Sequence, residues 1–374
     1  MSKKEVTILS WHSTKSTVQY AGGFRRLYEI LQRAPANINV TCIDTKPSFL
    51  RTINKENIKL VEYKIPDLIE QITKLNFLVG KFFERAYVVM FFTQYLLTHK
   101  KTTVYVPFSE LPQLTIPAIV SKLFVRNKVI FCNLNPNTFF VDKVINKITH
   151  KLSDLNITIS NQLKLQLLRT GINCSYVNPV GINFKQYFLN IPKYKNITGI
   201  FIGRHVKEKG IYTALEVCAL LNKKMNFSLI CIGDIPLNEK DKIESELTKL
   251  NIKSKVRLLG ITSEEEKINY LSSSHVCIFP STQEGWGIVP QESIMCHTPV
   301  VAFNLPVYKE NIAKCLAVTL VPESDIDEFL KSISDWLTMD KDQISKKLSQ
   351  SIKIIKKFDW SIIAKKEWEL ICQL

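Results

Sequence analysis

Short runs of consecutive apolar residues recur along the chain, each closed by a polar or turn residue and followed by a segment with helical spacing. In the first half the runs are VTILSW (6–11), VTCIDT (40–45), IKLVEY (58–63), TVYVPF (103–108), KVIFCNL (128–134) and NITIS (156–160). Between them lie the helical patterns GGFRRLYEILQRA, the long 66–99 region, ELPQLTIPAIVSKLF and NQLKLQLLRTG. A polar connection, NIPKYKN (190–196), separates this half from a second one. There the runs are TGIFIG (198–203), FSLICIG (227–233), KVRLLG (255–260), VCIFP (276–280), PVVAF (299–303) and LAVTLV (316–321), with helical stretches between them and one at the end. Alternation of this kind predicts parallel sheets covered on both faces. Two similar halves predict two Rossmann-like domains meeting across a cleft, with ligands beyond the carboxyl ends of the strands.

The stretch STQEGWGIVPQE (281–292) follows one such strand and holds two glutamates eight positions apart. A continuous helix would put Glu284 and Glu292 about 80° apart around its axis. Gly285, Gly287 and Pro290 argue against that helix. Proline suits a first helical turn, so the stretch reads as a glycine loop followed by a helix beginning near Val289 or Pro290. Glu284 then belongs to the loop and Glu292 to the first turn. The unpaired N–H groups around Ile288, Val289 and Gln291 point back toward the loop, an arrangement suited to phosphate.

Two cations sit at another strand end of the same half. GRHVKEKG (203–210) puts Arg204 just past a strand and Lys209 at the opening of a helix, which makes an electrostatic site for a diphosphate. Arginine offers a bidentate fork and lysine a movable point charge. In the first half, WHSTKSTVQYAGGFRRL (11–27) places Gly22 and Gly23 at a helix start, where backbone can approach a phosphate or sugar closely. The full GxGxxG spacing is missing, and a plain turn before a helix reads equally well.

Charge and composition narrow the partners. The net charge of +16 requires or tolerates an anionic partner, whether a phosphorylated donor, acidic lipid headgroups or nucleic acid. No zinc finger, RNP-like aromatic strand or helix-turn-helix pattern supports nucleic acid specifically. Nine cysteines without a CxxC spacing, several inside apolar runs, indicate reduced thiols in a reducing cytoplasm and no zinc. The apolar run after the charged residues 2–5 is too short for a signal peptide. AYVVMFFTQYLL (86–97) is too short to cross a bilayer. It reads as a buried helix, or as one lying in a membrane surface, given its aromatics and the flanking Lys81, Arg85, Lys100 and Lys101. The acidic triplets DID (325–327) and DKD (340–342) sit at helix starts, where Asp is expected as a cap, so no metal is expected.

GRHVKEKG, VRLLG (256–260) and EGWGIVPQE, in that order, resemble the retaining, nucleotide-sugar-dependent glycosyltransferases of the GT4 type, which have the GT-B fold. AGGFRRLYEIL, DLNITISNQLKLQLLRTGINCSYVNPVGIN (154–183) and FDW before the terminal helix fit the same pattern. The resemblance implies an α/β chain of two Rossmann-like domains: an acceptor-binding domain at 1–183 and a nucleotide-sugar-binding domain at 184–357. It also implies that residues 358–374 form a helix packing back on the first domain. Arg204 and Lys209 would hold the donor diphosphate, Glu284 would face the donor sugar and Glu292 would accept from the ribose hydroxyls. Gly285 and the N–H groups of Gly287, Ile288 and Val289 would complete the phosphate cradle. Gly260 and Ile261 would lie against the base, and Gly22 and Gly23 would close over the donor. Relatives often carry a histidine after the strand that here reads KVIFCNL. Asn133 occupies that place and cannot serve as a base near neutral pH. His12, Asn133 and Ser160 are the candidates for acceptor or sugar contact, with His205 as a second histidine that could stand in.

The function this implies is metal-independent transfer of a sugar from a UDP- or GDP-linked donor to a sugar, lipid-linked or protein-linked acceptor. The protein would be cytoplasmic, with room for attachment to the anionic inner face of a membrane, and would need no cofactor beyond its co-substrate. Cleavage of the donor needs fixed positive charge at the leaving group. A diphosphate leaves readily as an anion, so Glu284 is cast as a sugar-orienting group rather than a nucleophile. A glycosidase-type carboxylate pair is the lesser reading. A catalytically silent binding protein of the same fold and a nucleic-acid-binding protein are the alternatives from other classes. The complete set of Arg204, Lys209, Glu284 and Glu292 favours the enzyme.

Overall fold

The computed structural model describes residues 3–11, 22–45, 50–135, 140–187 and 191–374. His12 lies outside the described residues. The chain divides into two units, Met1–Gly181 with Trp360–Leu374, and Ile182–Asp359. The crossings fall side by side, because Ile182 donates to the Phe358 carbonyl at 2.8 Å and bridges Asp359.

The first unit holds seven parallel strands: β1 (Lys4–Leu9), β2 (Ile38–Asp44), β3 (Ile58–Glu62), β4 (Thr103–Val106), β5 (Lys128–Asn133), β6 (Leu155–Thr158) and β7 (Tyr176–Val177). Their order in the sheet is β3-β2-β1-β4-β5-β6-β7. Its helices are α1 (Gly22–Gln32), α2 (Asp67–Leu75), α3 (Phe77–Thr98), α4 (Pro112–Val125), α5 (Phe140–Leu152) and α6 (Asn161–Arg169). The second unit holds β8 (Ile197–Ile202), β9 (Phe227–Ile232), β10 (Val256–Gly260), β11 (Val276–Phe279), β12 (Val300–Phe303) and β13 (Val318–Val321), in the order β10-β9-β8-β11-β12-β13. Around it run α7 (Ile211–Asn222), α8 (Leu237–Lys249), α9 (Glu264–Ser273), α10 (Ile288–Met295), α11 (Tyr308–Asn311), α12 (Ile326–Thr338) and α13 (Lys341–Ile355). The last helix, α14 (Trp360–Cys372), belongs to the first unit.

The strands that sequence showed as unbroken apolar runs are the central ones. All four residues of β4, β11 and β12 are buried, as expected where helices cover both faces. The edge strands β3, β10 and β13 keep half-exposed positions. Each sheet reverses its strand order once, between β1 and β4 in the first and between β8 and β11 in the second. The loops leaving those strands therefore diverge and leave a crevice at the sheet's carboxyl edge.

Three details depart from the sequence reading. The 66–99 region is two helices, split at Asn76, whose side chain accepts from Leu78 N and Val79 N to cap α3. The helix α5 and the short strand β7 were not expected. The run 86–97 presents Val88, Phe92 and Leu96, one turn apart, to the interior against α4. Among the described residues no helix is long and apolar enough to cross a membrane. The acidic triplets do cap helices: Asp325 accepts from Glu328 N, and Asp340 from Asp342 N and Gln343 N.

The terminal helix is fixed by a buried polar knot. Glu367, at 0% exposure, takes Arg26 at 2.8 Å and also accepts from Tyr105 and Asn178. Trp368 donates its indole N–H to the Ile30 carbonyl at 2.8 Å. A buried carboxylate survives only when paired and hydrogen-bonded, so these partners hold α14 in one register on α1.

Candidate functional site

In the second unit the loop after β8 and the loop after β11 leave the two strands that flank the switch point. They are stitched together. Thr282 N and Ser281 Oγ both donate to the Glu208 carbonyl, at 2.9 and 3.2 Å. Gly210 adopts φ +81°, and a Cβ there would stand 2.1 Å from the Pro280 carbonyl oxygen, so only glycine allows this approach.

That stitching brings Lys209 to Glu284. The ammonium lies 2.7 Å from Glu284 Oε1 and donates to the Gln283 carbonyl at 3.0 Å. Lys209 sits in a 3₁₀ turn (Lys207–Lys209) one residue ahead of the α7 N-cap, Gly210, rather than inside the helix opening. Arg204 is exposed at the same strand end and pairs with no carboxylate among the described residues. The two side chains that sequence assigned to one diphosphate thus differ in state, Lys209 held by Glu284 and the Gln283 carbonyl and Arg204 exposed.

His205 between them is fully buried and packs edge-on against Phe201. Burial lowers its pKa, against the opposing pull of the Asp234 carbonyl and carboxylate. A loop histidine open to an acceptor is therefore not what this position provides.

Gly287 is the N-cap of α10 at φ +75°, and α10 starts at Ile288, so Pro290 occupies the first turn. Glu292 lies one step beyond that turn and is 5% exposed. A Cβ on Gly287 would meet the Tyr308 ring at 2.7 Å. Gly287→Ala is expected to cost about 1–3 kcal/mol through the positive φ alone, read as a lower unfolding midpoint, and to weaken anion binding at α10. Ile288 and Val289 are half-buried, and their N–H groups belong to the first turn, which the helix leaves unbonded.

Glu292 has partners that sequence did not reveal. Lys267 of α9 donates to its Oε1 at 2.8 Å, and the Tyr187 hydroxyl donates to the same oxygen at 3.0 Å. Lys267 also meets Glu264 at 3.0 Å. Burial works against the Lys267 charge, but Glu292 and Glu264 outweigh it and raise its pKa. Burial and the neighbouring Glu292 hold the Tyr187 phenol well above its ordinary value. With both donors on Oε1, Oε2 is the oxygen left for a ligand. The only signal in the sequence is the capping box SEEE at 263–266, which starts α9 and thereby sets the face that carries Lys267.

The floor is glycine. Gly203 N donates to the Ile232 carbonyl and Gly233 N to the Gly260 carbonyl, carrying the ladder past the strand ends. Gly260 has φ +67° and nothing within 4 Å of a Cβ, while Ile261 beside it is exposed.

In the first unit, Gly23 at the start of α1 lies under Phe108 and Leu134, where a Cβ would come within 2.8 Å of the Phe108 ring; Gly22 opens the same helix. Asn133 is fully buried. Its Oδ1 lies 3.1 Å from His150 Nε2, whose Nδ1 is 2.7 Å from the Asn146 carbonyl. Ser160 is also fully buried and caps α6 by accepting from Leu163 N at 3.0 Å. Both were expected to touch acceptor or sugar; each is occupied inside the fold. Close by, Glu110 accepts from Asn135 at 3.1 Å. Its other oxygen is buried with no partner among the described residues, and burial raises its pKa to about 7.

Two Rossmann-like units with parallel sheets and switch-point loops define the GT-B class of architecture. Residues 185–355 match the family described as Glycosyl transferases group 1, a span that lies within the second unit. A Methanocaldococcus jannaschii protein named as an uncharacterized glycosyltransferase is 28% identical over 209 residues, 56% of each chain. The Staphylococcus aureus capsular polysaccharide biosynthesis glycosyltransferase CapM is 25% identical over 184 residues, 45% of this chain and 48% of CapM. The chain spans about half the length of the curated relatives it matches. Among solved structures, Anabaena HepE in complex with UDP and glucose superposes with a TM-score of 0.76 over 99% of both chains, at 15% identity. The likeness to HepE extends over the whole chain and establishes the fold.

Proposed function

We propose that this protein transfers a sugar from a nucleoside diphosphate donor to an acceptor hydroxyl with retention at the anomeric carbon. The observation that carries the reading is the Lys209–Glu284 pair at the switch point, one loop away from the α10 N-terminus and backed by Glu292. Family resemblance in the second unit and the UDP held by HepE favour a UDP-sugar donor.

In this reading the α10 N–H groups and Lys209 receive the diphosphate, and Arg204 folds in as a second cation. Glu292 accepts the ribose hydroxyls through Oε2, and the base lies on Gly260 and Ile261. As the bond from C1 to the phosphate oxygen breaks, its electron pair goes to the phosphate, where fixed positive charge stabilises it. The acceptor oxygen bonds to C1 on the same face, and its proton passes to the departing phosphate. Glu284, in the same reading, orients the sugar and offsets the positive charge forming on it. Two cations at the leaving group do the work a metal would do, so transfer is expected to proceed in EDTA. We place the reaction on the cytoplasmic side, with a sugar, lipid-linked or protein-linked acceptor.

The test is a panel of UDP- and GDP-sugars, followed by calorimetry and by slow donor hydrolysis without acceptor. One donor is expected to bind with a dissociation constant in the range of about 1 μM to 1 mM and to be hydrolysed slowly. Absence of binding across the panel would sink the proposal. Binding without any turnover would instead mark a silent member of the fold.

A further inference from the structure

Among the exposed apolar positions of the first unit, two groups lie on neighbouring helices. At the corner between α2 and α3, residues 74–79 are all exposed, with Leu75 at 88% and Leu78 at 79%, and Phe82 one turn on is at 69%. The Asn76 cap fixes this corner, so its apolar tip is held outward by the fold. The second surface is α5. Val141, Val144 and Ile148, spaced i, i+3, i+7, form an exposed stripe along one face, and Asn146, Thr149 and His150 turn the other face inward. Lys143, Lys147 and Lys151, at i, i+4, i+8, run beside the apolar stripe. An ion pair between Arg85 and Asp142, at 3.6 Å, joins α3 to α5 and brings the two surfaces next to each other.

Exposed apolar residues in such a cluster mark a site of interaction. The charge around them selects the partner. From the start of α2 to residue 101 the chain carries Lys74, Lys81, Arg85, Lys100 and Lys101 against Asp67, Glu70 and Glu84. Lys81 pairs with the buried Glu84 and Arg85 with Asp142, so Lys74 with Lys143, Lys147 and Lys151 are the cations bordering the two surfaces. A second copy docking through this face would set the same cations against one another. A basic helix with an adjoining apolar stripe is instead the pattern that lies in a membrane interface, its lysine stems extended along apolar surface and their heads at the phosphates. The run 86–97 that sequence singled out contributes little to this, because Val88, Phe92 and Leu96 face inward.

We propose that the α2–α3 corner and the outer face of α5 together dock the protein on an anionic phospholipid bilayer, with Leu75, Leu78 and Phe82 entering the headgroup region. The inference goes beyond the donor reading and does not depend on it. Co-sedimentation of the whole chain with vesicles of phosphatidylcholine alone, and of phosphatidylcholine with phosphatidylglycerol, tests it at low and high salt. Binding is expected to the anionic vesicles only, weakened by salt but not abolished, since screening acts on the lysines and not on the inserted side chains. The double variant Leu78→Glu/Phe82→Glu and the triple variant Lys143→Ala/Lys147→Ala/Lys151→Ala should each lower partitioning about tenfold or more, with unchanged circular dichroism and unfolding midpoint. No binding to anionic vesicles at low salt would overturn the proposal. So would two folded variants that bind like the parent, or a dimer of the parent in sedimentation velocity that Leu78→Glu/Phe82→Glu converts to monomer.

Discussion

Lys209→Ala is expected to lower turnover about 10²–10³-fold while weakening donor binding far less. The asymmetry follows from where the charge acts. In the proposed site the bound diphosphate is already anionic and would have the α10 N–H groups and Arg204 to share it. The extra charge that appears on the leaving oxygen as the C1 bond breaks is local and new, and a fixed ammonium answers it without reorganising. Glu284 and the Gln283 carbonyl hold Lys209 Nζ in place before any ligand arrives. That holding matters because the lysine stem is otherwise free to rotate. Alanine removes the cation and also strips Glu284 of its counter-charge, leaving a carboxylate beside the phosphates. Part of any loss of donor affinity should therefore return in Lys209→Ala/Glu284→Gln, with a coupling of about 0.5–3 kcal/mol. Lys209→Arg should restore little, since a planar fork cannot reproduce a point charge wedged between a carboxylate and a carbonyl. Calorimetry with the donor and initial rates of hydrolysis or transfer measure the two halves of the effect. An unchanged rate in the alanine variant removes Lys209 from the site.

The architecture was legible because buried parallel strands must be apolar on both faces, and runs such as VYV in β4 and VCIF in β11 can be little else. The loop at 281–287 was legible for a related reason: two glycines and a proline restrict backbone choices more than any side-chain pattern does. Side-chain partnerships were not. Lys267 lies on α9 just after a capping box that marks a helix start but not a partner, and its ammonium meets Glu292 only in the folded chain. Asn133 and Ser160 show the opposite case, since both are buried and hydrogen-bonded inside the fold. Their position at strand ends suggested exposure, but α5, which the sequence reading did not find, brings His150 over Asn133, and Ser160 is consumed as a helix cap. The run 86–97 is a buried helix, the first of its two readings, while the exposed apolar positions of the first unit lie on the α2–α3 corner and α5, where no single run marks them.

Lys267→Met should give the largest loss of stability, about 3–5 kcal/mol, because removing one partner of a buried ion pair leaves the other charge uncompensated. Glu292 is 5% exposed and would keep only the Tyr187 hydroxyl. The pKa of Lys267 is raised on folding, so its contribution is complete below the unfolded value of about 10.4 and fades only as pH climbs through the folded one. The gap in unfolding midpoint between parent and variant is therefore expected to stay flat from about pH 6 to 9. A second readout separates positioning from mere support. Lys267 and Tyr187 both hold Oε1 of Glu292, and in the proposed reading Oε2 is the oxygen that meets the ribose. The parent should bind UDP at least about tenfold more tightly than its 2′,3′-dideoxy analogue, roughly the value of one charge-assisted hydrogen bond. In Lys267→Met that preference should largely vanish, and in Lys267→Arg, which keeps the charge and two donors, it should persist at reduced strength even if both variants lose stability. If Lys267→Arg and Lys267→Met discriminate between the two nucleotides as the parent does, Glu292 is not aimed at the ribose, and Lys267 serves the fold alone.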